Sequence, residues 1–189
     1  EAIEARALKV RSDTLMAAYG AVQAEFPGLL VQSVVKDTVF ELSSSSMLGY
    51  DESAVQIALA PLAESLVRID WNRRVLDETW VRLFALSKDL EILNLTDSDF
   101  SAEVLSFLLS EKSSLKKINL TGTAFCDEHI DHLLQNADIE MVVLTDTNLS
   151  ESGFERLVVA LPKTQLISSL GLNLEEHFLL EVGRLIFIH

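Results

Sequence analysis

Leu90-Glu-Ile-Leu-Asn-Leu-Thr-Asp-Ser-Asp-Phe-Ser101 and Leu115-Lys-Lys-Ile-Asn-Leu-Thr-Gly-Thr-Ala-Phe-Cys126 are two spellings of one phrase. Each places apolar residues at its first, fourth and sixth positions and another five residues after the sixth. The phrase occurs again at Leu66, Ile69 and Trp71, followed by Leu76, and at Ile139, Val142 and Leu144, followed by Leu149. A phrase that recurs at a near-fixed period marks a repeat array, in which no unit can bury its apolar face alone.

Fainter copies extend the array both ways. Asp37, Phe40, Leu42 and Met47 fill the same slots one unit earlier, and Ile167, Leu170 and Leu172 fill the first three one unit later. The starts at 37, 66, 90, 115, 139 and 167 are separated by 29, 24, 25, 24 and 28 residues, which suits stacked strand-and-helix units. Asp37 at an apolar slot, and His177 where other units carry leucine, methionine or phenylalanine, mark the outermost units as atypical. End units deviate in this way because one face has no neighbour to pack on.

The spacing has a mechanical reading. Side chains alternate along a strand, so the second and third apolar residues of a phrase, such as Leu93 and Leu95, both point inward while Asn94 points out. Ser45, Ser98, Thr123 and Thr147 recur three residues after the inward pair. A short hydroxyl there bonds turn backbone that a parallel ladder leaves unpaired. Arg74 interrupts that column, and its guanidinium is expected to reach solvent over a looser turn.

Helix signals follow each phrase. Asp77, Ser101 and Ser150 stand at capping positions before Trp80, Leu83 and Phe84, before Leu105, Leu108 and Leu109, and before Phe154, Leu157 and Val158. Acidic residues including Glu78, Glu103, Asp127 and Glu151 occupy first turns, where they complement the helix dipole. Asp51 to Leu62 reads as another such helix, with Val55, Leu59 and Leu62 on one stripe. Ahead of the array, Ile3, Ala7, Leu8, Leu15, Met16, Tyr19 and Val22 recur at helical spacing until Pro27-Gly28. A strand over Leu29 to Val35 then covers the first edge. At the other end, Phe178 to His189 is apolar enough to cover the last unit, with Leu185 to Ile188 as a final strand. The expected organisation is an N-terminal capping helix and strand over 1–36, repeats over 37–175, and a C-terminal cap or truncated repeat over 176–189. The fold class is α/β, a solenoid of about six coils with short parallel strands on one face and helices on the other.

Composition narrows the function. At 189 residues, 49% hydrophobic and mean hydropathy +0.27, the chain suits one domain with a continuous core rather than disorder. No run approaches eighteen apolar residues, so no direct membrane insertion is expected. The net charge of −14, from 29 acidic against 15 basic residues, argues against nucleic acid, whose phosphates need a cationic face. Gly-x-Ser-x-Gly, a Gly-rich phosphate loop, His-Glu-x-x-His and paired Cys-x-x-Cys are all missing, so catalysis is not expected. The start at Glu1, with neither methionine nor a basic-then-apolar leader, reads as a processed product or a piece of something longer. A single cysteine, Cys126, forbids an internal disulfide and suits cytosol or periplasm.

The units at Leu90 and Leu115 resemble the bacterial leucine-rich repeats spelled L-x-x-L-x-L-x-x-T-x-[VF]-[ST]-D, a resemblance covering about residues 37 to 175. A narrower one rests on Phe26-Pro-Gly-Leu-Leu-Val-Gln-Ser-Val-Val, on Val39-Phe40-Glu41-Leu42 and on Leu59-Ala60-Pro61-Leu62-Ala63. These resemble the repeat segment of bacterial membrane-anchored proteins that also carry a c-type cytochrome domain of the planctomycete kind. That resemblance implies a periplasmic or otherwise extracytoplasmic module, with a cytoplasmic location as the alternative. The chain contains no Cys-x-x-Cys-His, so no haem or other cofactor is expected on it.

A repeat array binds through its outward strand positions. Read across the units, one outward column runs Val39, Arg68, Ile92, Lys117, Met141 and Ser169, and the middle one Glu41, Asp70, Asn94, Asn119, Val143 and Gly171. The next runs Ser43, Asn72, Thr96, Thr121, Thr145 and Asn173, with Ser44, Arg73, Asp97, Gly122 and Asp146 beside it. The candidate binding face is therefore Arg68, Asp70, Asn72, Asn94, Thr96, Lys117, Asn119, Thr121, Met141 and Val143, and its expected occupant is a protein. Cys126, His129 and His132 share one short stretch, but Cys126 holds the capping slot that serine fills elsewhere, so no metal site is expected. The function this supports is a non-enzymatic protein-interaction module of a larger bacterial envelope protein. The alternatives are a passive spacer beside a cytochrome c domain and a secreted effector that binds host proteins.

Overall fold

A computed structural model of the chain describes residues 2–35, 39–44, 47, 49–111, 114–136, 138–169 and 185–187. It is an α/β structure. Its elements in chain order are α1 (Ala2–Glu25), β1 (Leu30–Val35), β2 (Val39–Ser43), α2 (Glu52–Leu59), β3 (Leu66–Asp70), α3 (Glu78–Ala85), β4 (Ile92–Asn94) and α4 (Ala102–Ser110). There follow β5 (Lys117–Asn119), α5 (Ile130–Leu133), β6 (Met141–Val143), α6 (Glu151–Ala160), β7 (Gln165–Ser168) and β8 (Leu185–Phe187). The strands form one sheet in sequence order, antiparallel between β1 and β2 and parallel from β2 to β8.

Each parallel step from β2 to β7 is bridged by helix, as a parallel pair requires. The second apolar slots of the four clear phrases stack in register, Ile69 on Leu93, Leu93 on Ile118 and Ile118 on Val142, and Val142 pairs in turn with Leu166. The third slot is aligned too. The amide of Trp71 donates to the carbonyl of Asn94, that of Leu95 to Asn119 and that of Leu120 to Val143, at 2.7–2.9 Å. These residues and the helix residues Trp80, Phe84, Leu105, Leu108, Ile130, Phe154 and Leu157 are buried in one continuous core between sheet and helices.

The hydroxyl column acts as its spacing implies. Ser98 donates to the carbonyl of Trp71, Thr123 to that of Leu120 at 2.6 Å and Thr147 to that of Leu144 at 3.0 Å. Ser45 lies outside the described residues. One residue earlier the backbone turns left-handed in unit after unit, at Arg73, Asp97, Gly122 and Asp146, with φ between 54° and 68°. Glycine occupies this position only at 122, where a Cβ would also press on the Asp97 carboxylate.

The caps are as expected. Asp51, Asp77, Ser101 and Ser150 accept first-turn N–H groups of α2, α3, α4 and α6, each bond contributing about 1 kcal/mol. The helix read over Asp51 to Leu62 ends sooner, at Leu59, and continues as a 3-10 turn over Ala60–Ser65. Pro61 near the start of that turn has no N–H for the helical ladder.

Three expectations need correction. Arg74 does not reach for solvent. Its side chain is only 16% exposed, pairs with Glu52 and lies over the Trp71 ring at 5.6 Å. Glu52 also accepts the Trp80 indole N–H at 3.2 Å, and Trp71, Trp80 and Phe84 pack with centroids 4.3–5.7 Å apart. An aromatic wall thus gives the guanidinium a surface and a counter-ion in place of water.

The register shifts at both ends of the array. Glu41 stands beside Arg68 and Ser43 beside Asp70, two residues from the expected pairing, because Phe40 aligns with Leu66 and an irregularity follows it. Ser44 thereby takes the slot equivalent to Trp71, where it is buried and its Oγ accepts the Asn72 N–H at 3.0 Å. At the other end Gln165 and Ile167, not Ser169 and Gly171, continue the columns of Met141 and Val143. Leu166 follows Val142 at the short interval of 24 residues. Ile167 therefore faces outward, and Lys163 stands where the phrase expects an apolar residue. Asp37, Leu170, Gly171, Leu172, Asn173, His177 and most of the expected C-terminal cap lie outside the described residues. The last strand is present as β8, paired parallel to β7.

Candidate functional site

The outward columns are continuous across the sheet. Arg68, Ile92, Lys117, Met141 and Gln165 form one, and Asp70, Asn94, Asn119, Val143 and Ile167 the next. All ten candidate binding residues are at least partly exposed, and the ladder sets seven of them, Arg68, Asp70, Asn94, Lys117, Asn119, Met141 and Val143, on one face, with Asn72, Thr96 and Thr121 in the turns that follow the strands. Flanking Arg68 and Asp70 is a concavity of about 300 Å³ that also takes in Gln32, Glu41, Leu42 and Ser43. Gln32 enters from β1, the antiparallel strand that closes the edge.

Much of the polar chemistry here is directed back into its own strand. Asn94 Oδ1 accepts both the amide of Thr96 at 3.2 Å and its hydroxyl at 2.7 Å, and Asn119 treats Thr121 identically at 3.0 and 2.7 Å. The cause is local: an asparagine two residues before a threonine forms an Asx-type turn that ends the short strand. Arg68 Nε donates to Asp70 Oδ2 at 2.9 Å, and this bond holds the guanidinium above its usual pKa despite some burial. Toward β7 the face becomes apolar, with half-buried Met141, Val143 and Ile167. Lys117 is exposed between the two halves.

The Cys126 cluster is built as a helix start. His129 Nδ1 accepts the Cys126 amide at 3.1 Å and lies 3.3 Å from its sulfur, while the ring stacks on Phe125. The imidazole is 3% exposed, with Nε2 buried and unpartnered. Burial pushes its pKa below the ordinary value, against smaller opposing pulls from the Cys126 backbone and Glu128. His129 thus supplies the reciprocal half of a capping box: from the third position it satisfies the amide of the capping residue itself, where Ser101 and Ser150 instead accept the third-position N–H. Among the described residues no three metal-binding side chains converge.

Sequence reading missed a second set of contacts, on the loops that follow the helices. Ser87 donates to the carbonyl of Ala63 at 2.7 Å, Ser114 to those of Lys88 and Leu90 at 2.9 Å, Asn136 to that of Leu109 at 3.2 Å and Thr164 to that of Ile139 at 2.7 Å. Each ties one unit to the preceding one. The recurring small polar residue just ahead of each strand was the available signal, blurred by its uneven spacing. Among the described residues no helix is long and apolar enough to cross a membrane. No known protein family matches the chain, and no curated protein matches it either.

Proposed function

We propose that the chain is a leucine-rich repeat solenoid of about six coils whose outward strand face docks another protein, without catalysis and without a cofactor. The observation that carries this reading is the unbroken lateral register of Arg68, Ile92, Lys117, Met141 and Gln165, which turns five short strands into one surface. One flank of that face is apolar, with Met141 and Val143 adjoining the exposed Lys117. Arg68 and Asp70 form the other flank, beside the concavity. An acidic chain of net charge −14 favours a protein partner over nucleic acid. The parent is a bacterial envelope protein, and the module is extracytoplasmic in this reading.

One observation favours the alternative of a passive spacer beside a cytochrome c domain. Asn94, Asn119 and Arg68 spend their hydrogen bonds on Thr96, Thr121 and Asp70 of their own strands. The test compares affinity capture with the wild-type chain, a strand-face variant (Lys117→Glu, Met141→Glu, Val143→Glu) and a helix-face control (Glu155→Lys, Val159→Lys). Proteins retained by wild type and control but lost from the strand-face variant support docking. Identical profiles for all three, with unchanged circular dichroism, favour the spacer.

A further inference from the structure

The helix side of the molecule carries a groove that the strand-face reading does not use. It lies between α3 and α4, and its volume is about 400 Å³, enough for one or two large side chains. Val81 and Val104 form the floor, both almost wholly buried. Phe107 stands at the groove with 45% of its surface exposed, the least covered of the described Phe, Tyr and Trp side chains. An exposed phenylalanine over an apolar floor leaves surface in water that a partner side chain would remove.

The rim carries the chemistry that selects an occupant. Glu78 and Glu103 flank the groove, with Arg82 and Ser101. Arg82 is tied to Glu78 at 3.2 Å, one turn away on α3. Glu103 bonds its own first-turn backbone and Ser101, which hold its carboxyl below the ordinary range and so ionised. A carboxylate offers about four acceptor sites, and this arrangement leaves some of them for a cation. Two carboxylates against one guanidinium give the rim a negative balance, in a chain that is strongly acidic overall. Association with a cationic segment is therefore favoured in approach as well as in contact.

We propose that the α3–α4 groove is a second docking site, for a partner segment that sets a leucine-like side chain against Phe107 and a lysine or arginine against Glu78 and Glu103. It is separate from the strand face and does not depend on it. The aliphatic group covers Phe107, Val81 and Val104, and the cation takes the free lone pairs at the rim, a combination of apolar anchor and charged neighbour that sets register.

The test is an amide-resolved NMR titration of the full 189-residue chain with two blocked tetrapeptides, acetyl-Lys-Leu-Leu-Lys-amide and acetyl-Glu-Leu-Leu-Glu-amide. The expected result is saturable shifts from the cationic peptide confined to residues near 78–82 and 101–107, with at least tenfold weaker binding of the acidic one. Phe107→Ala, and separately the pair Glu78→Gln and Glu103→Gln, should each weaken the cationic peptide at least fivefold with circular dichroism unchanged. The strand-face variant (Lys117→Glu, Met141→Glu, Val143→Glu) should bind it as wild type does. Equal shifts from both peptides, shifts centred elsewhere, indifference to these substitutions, or no saturable binding would each overturn the proposal.

Discussion

Gly153→Ala is the substitution for which helix propensity and packing disagree in sign, and the structure decides between them. In the first turn of α6, where Gly153 donates its N–H to the capping Ser150, alanine in place of glycine should stabilise by at most about 1 kcal/mol. The added Cβ, however, would stand 2.3 Å from Asp127 Oδ1 and 2.8 Å from Leu149 Cδ1. Neither neighbour is idle. Asp127 accepts the Ser150 amide at 2.9 Å and its hydroxyl at 2.5 Å, tying the unit of α5 to the cap of α6, and Leu149 is buried. Displacing the carboxylate forfeits charge-assisted bonds worth about 1.5 kcal/mol at the low end suited to a surface site. Crowding Leu149 costs about 1 kcal/mol or more. The net expectation is a loss of roughly 1–3 kcal/mol, read as a lower urea midpoint by circular dichroism and as faster amide exchange over residues 127–160. The same clash predicts coupling: Asp127→Ala should cost less in the Gly153→Ala background than in the wild type, since the contact it removes is already broken. A Gly153→Ala protein as stable as wild type, or more so, would refute the reasoning.

Acid should destabilise the fold through His129. Its pKa is lowered by burial from an ordinary 6.5, so the contribution is fully present above that value and is lost as pH falls through the lower folded value. Unfolding midpoints from pH 8 to pH 5 should decline in wild type and flatten in His129→Gln; parallel profiles would contradict this. Glu52→Ala strands the Arg74 guanidinium and the Trp80 indole N–H together, and about 2 kcal/mol of stability should go, whereas Glu52→Gln should lose about half of that by urea titration followed through tryptophan fluorescence. Leu120→Ala, at a fully buried position, should cost about 2–5 kcal/mol, against less than about 1 kcal/mol for half-exposed Thr121→Ala, measured by chemical denaturation.

What was legible in the chain follows from what the period measures. Between Leu66 and Leu149 every apolar slot is enforced by a neighbour on both sides, so the spelling is strict and the pairing of Ile69, Leu93, Ile118 and Val142 could be read directly. At Phe40 and at Ile167 the spelling allowed a register that the backbone does not adopt. One unit begins with an irregular strand pairing, and the other places Lys163 and Ser168 where large apolar residues stand elsewhere. Arg74 was misread because its partners, Glu52 and Trp71, come from different units and no spacing rule links them. The candidate face was legible as a set of positions but not as chemistry. That Asn94 and Asn119 bond their own threonines depends on turn geometry, which alternation alone does not reveal.

The Asn-x-Thr pairing bears on where a partner can engage. An outward asparagine with both lone pairs committed offers a partner mainly its amide N–H groups, and withdrawing it from Thr96 or Thr121 would leave a turn amide and a hydroxyl to be satisfied by water. The middle of the face is therefore stiff and already satisfied, which suits a wall more than a hot spot. Energetic leverage moves to its flanks: the half-buried Met141, Val143 and Ile167 on one side, which can lose water without leaving a polar group unpaired, and the Arg68–Asp70 concavity on the other. A partner that spans the face should gain most of its affinity at these two ends and use the asparagine strip for alignment. Charge reversal at Lys117, midway between them, should accordingly slow association while leaving dissociation little changed, and the reverse pattern would place the hot spot at the centre after all.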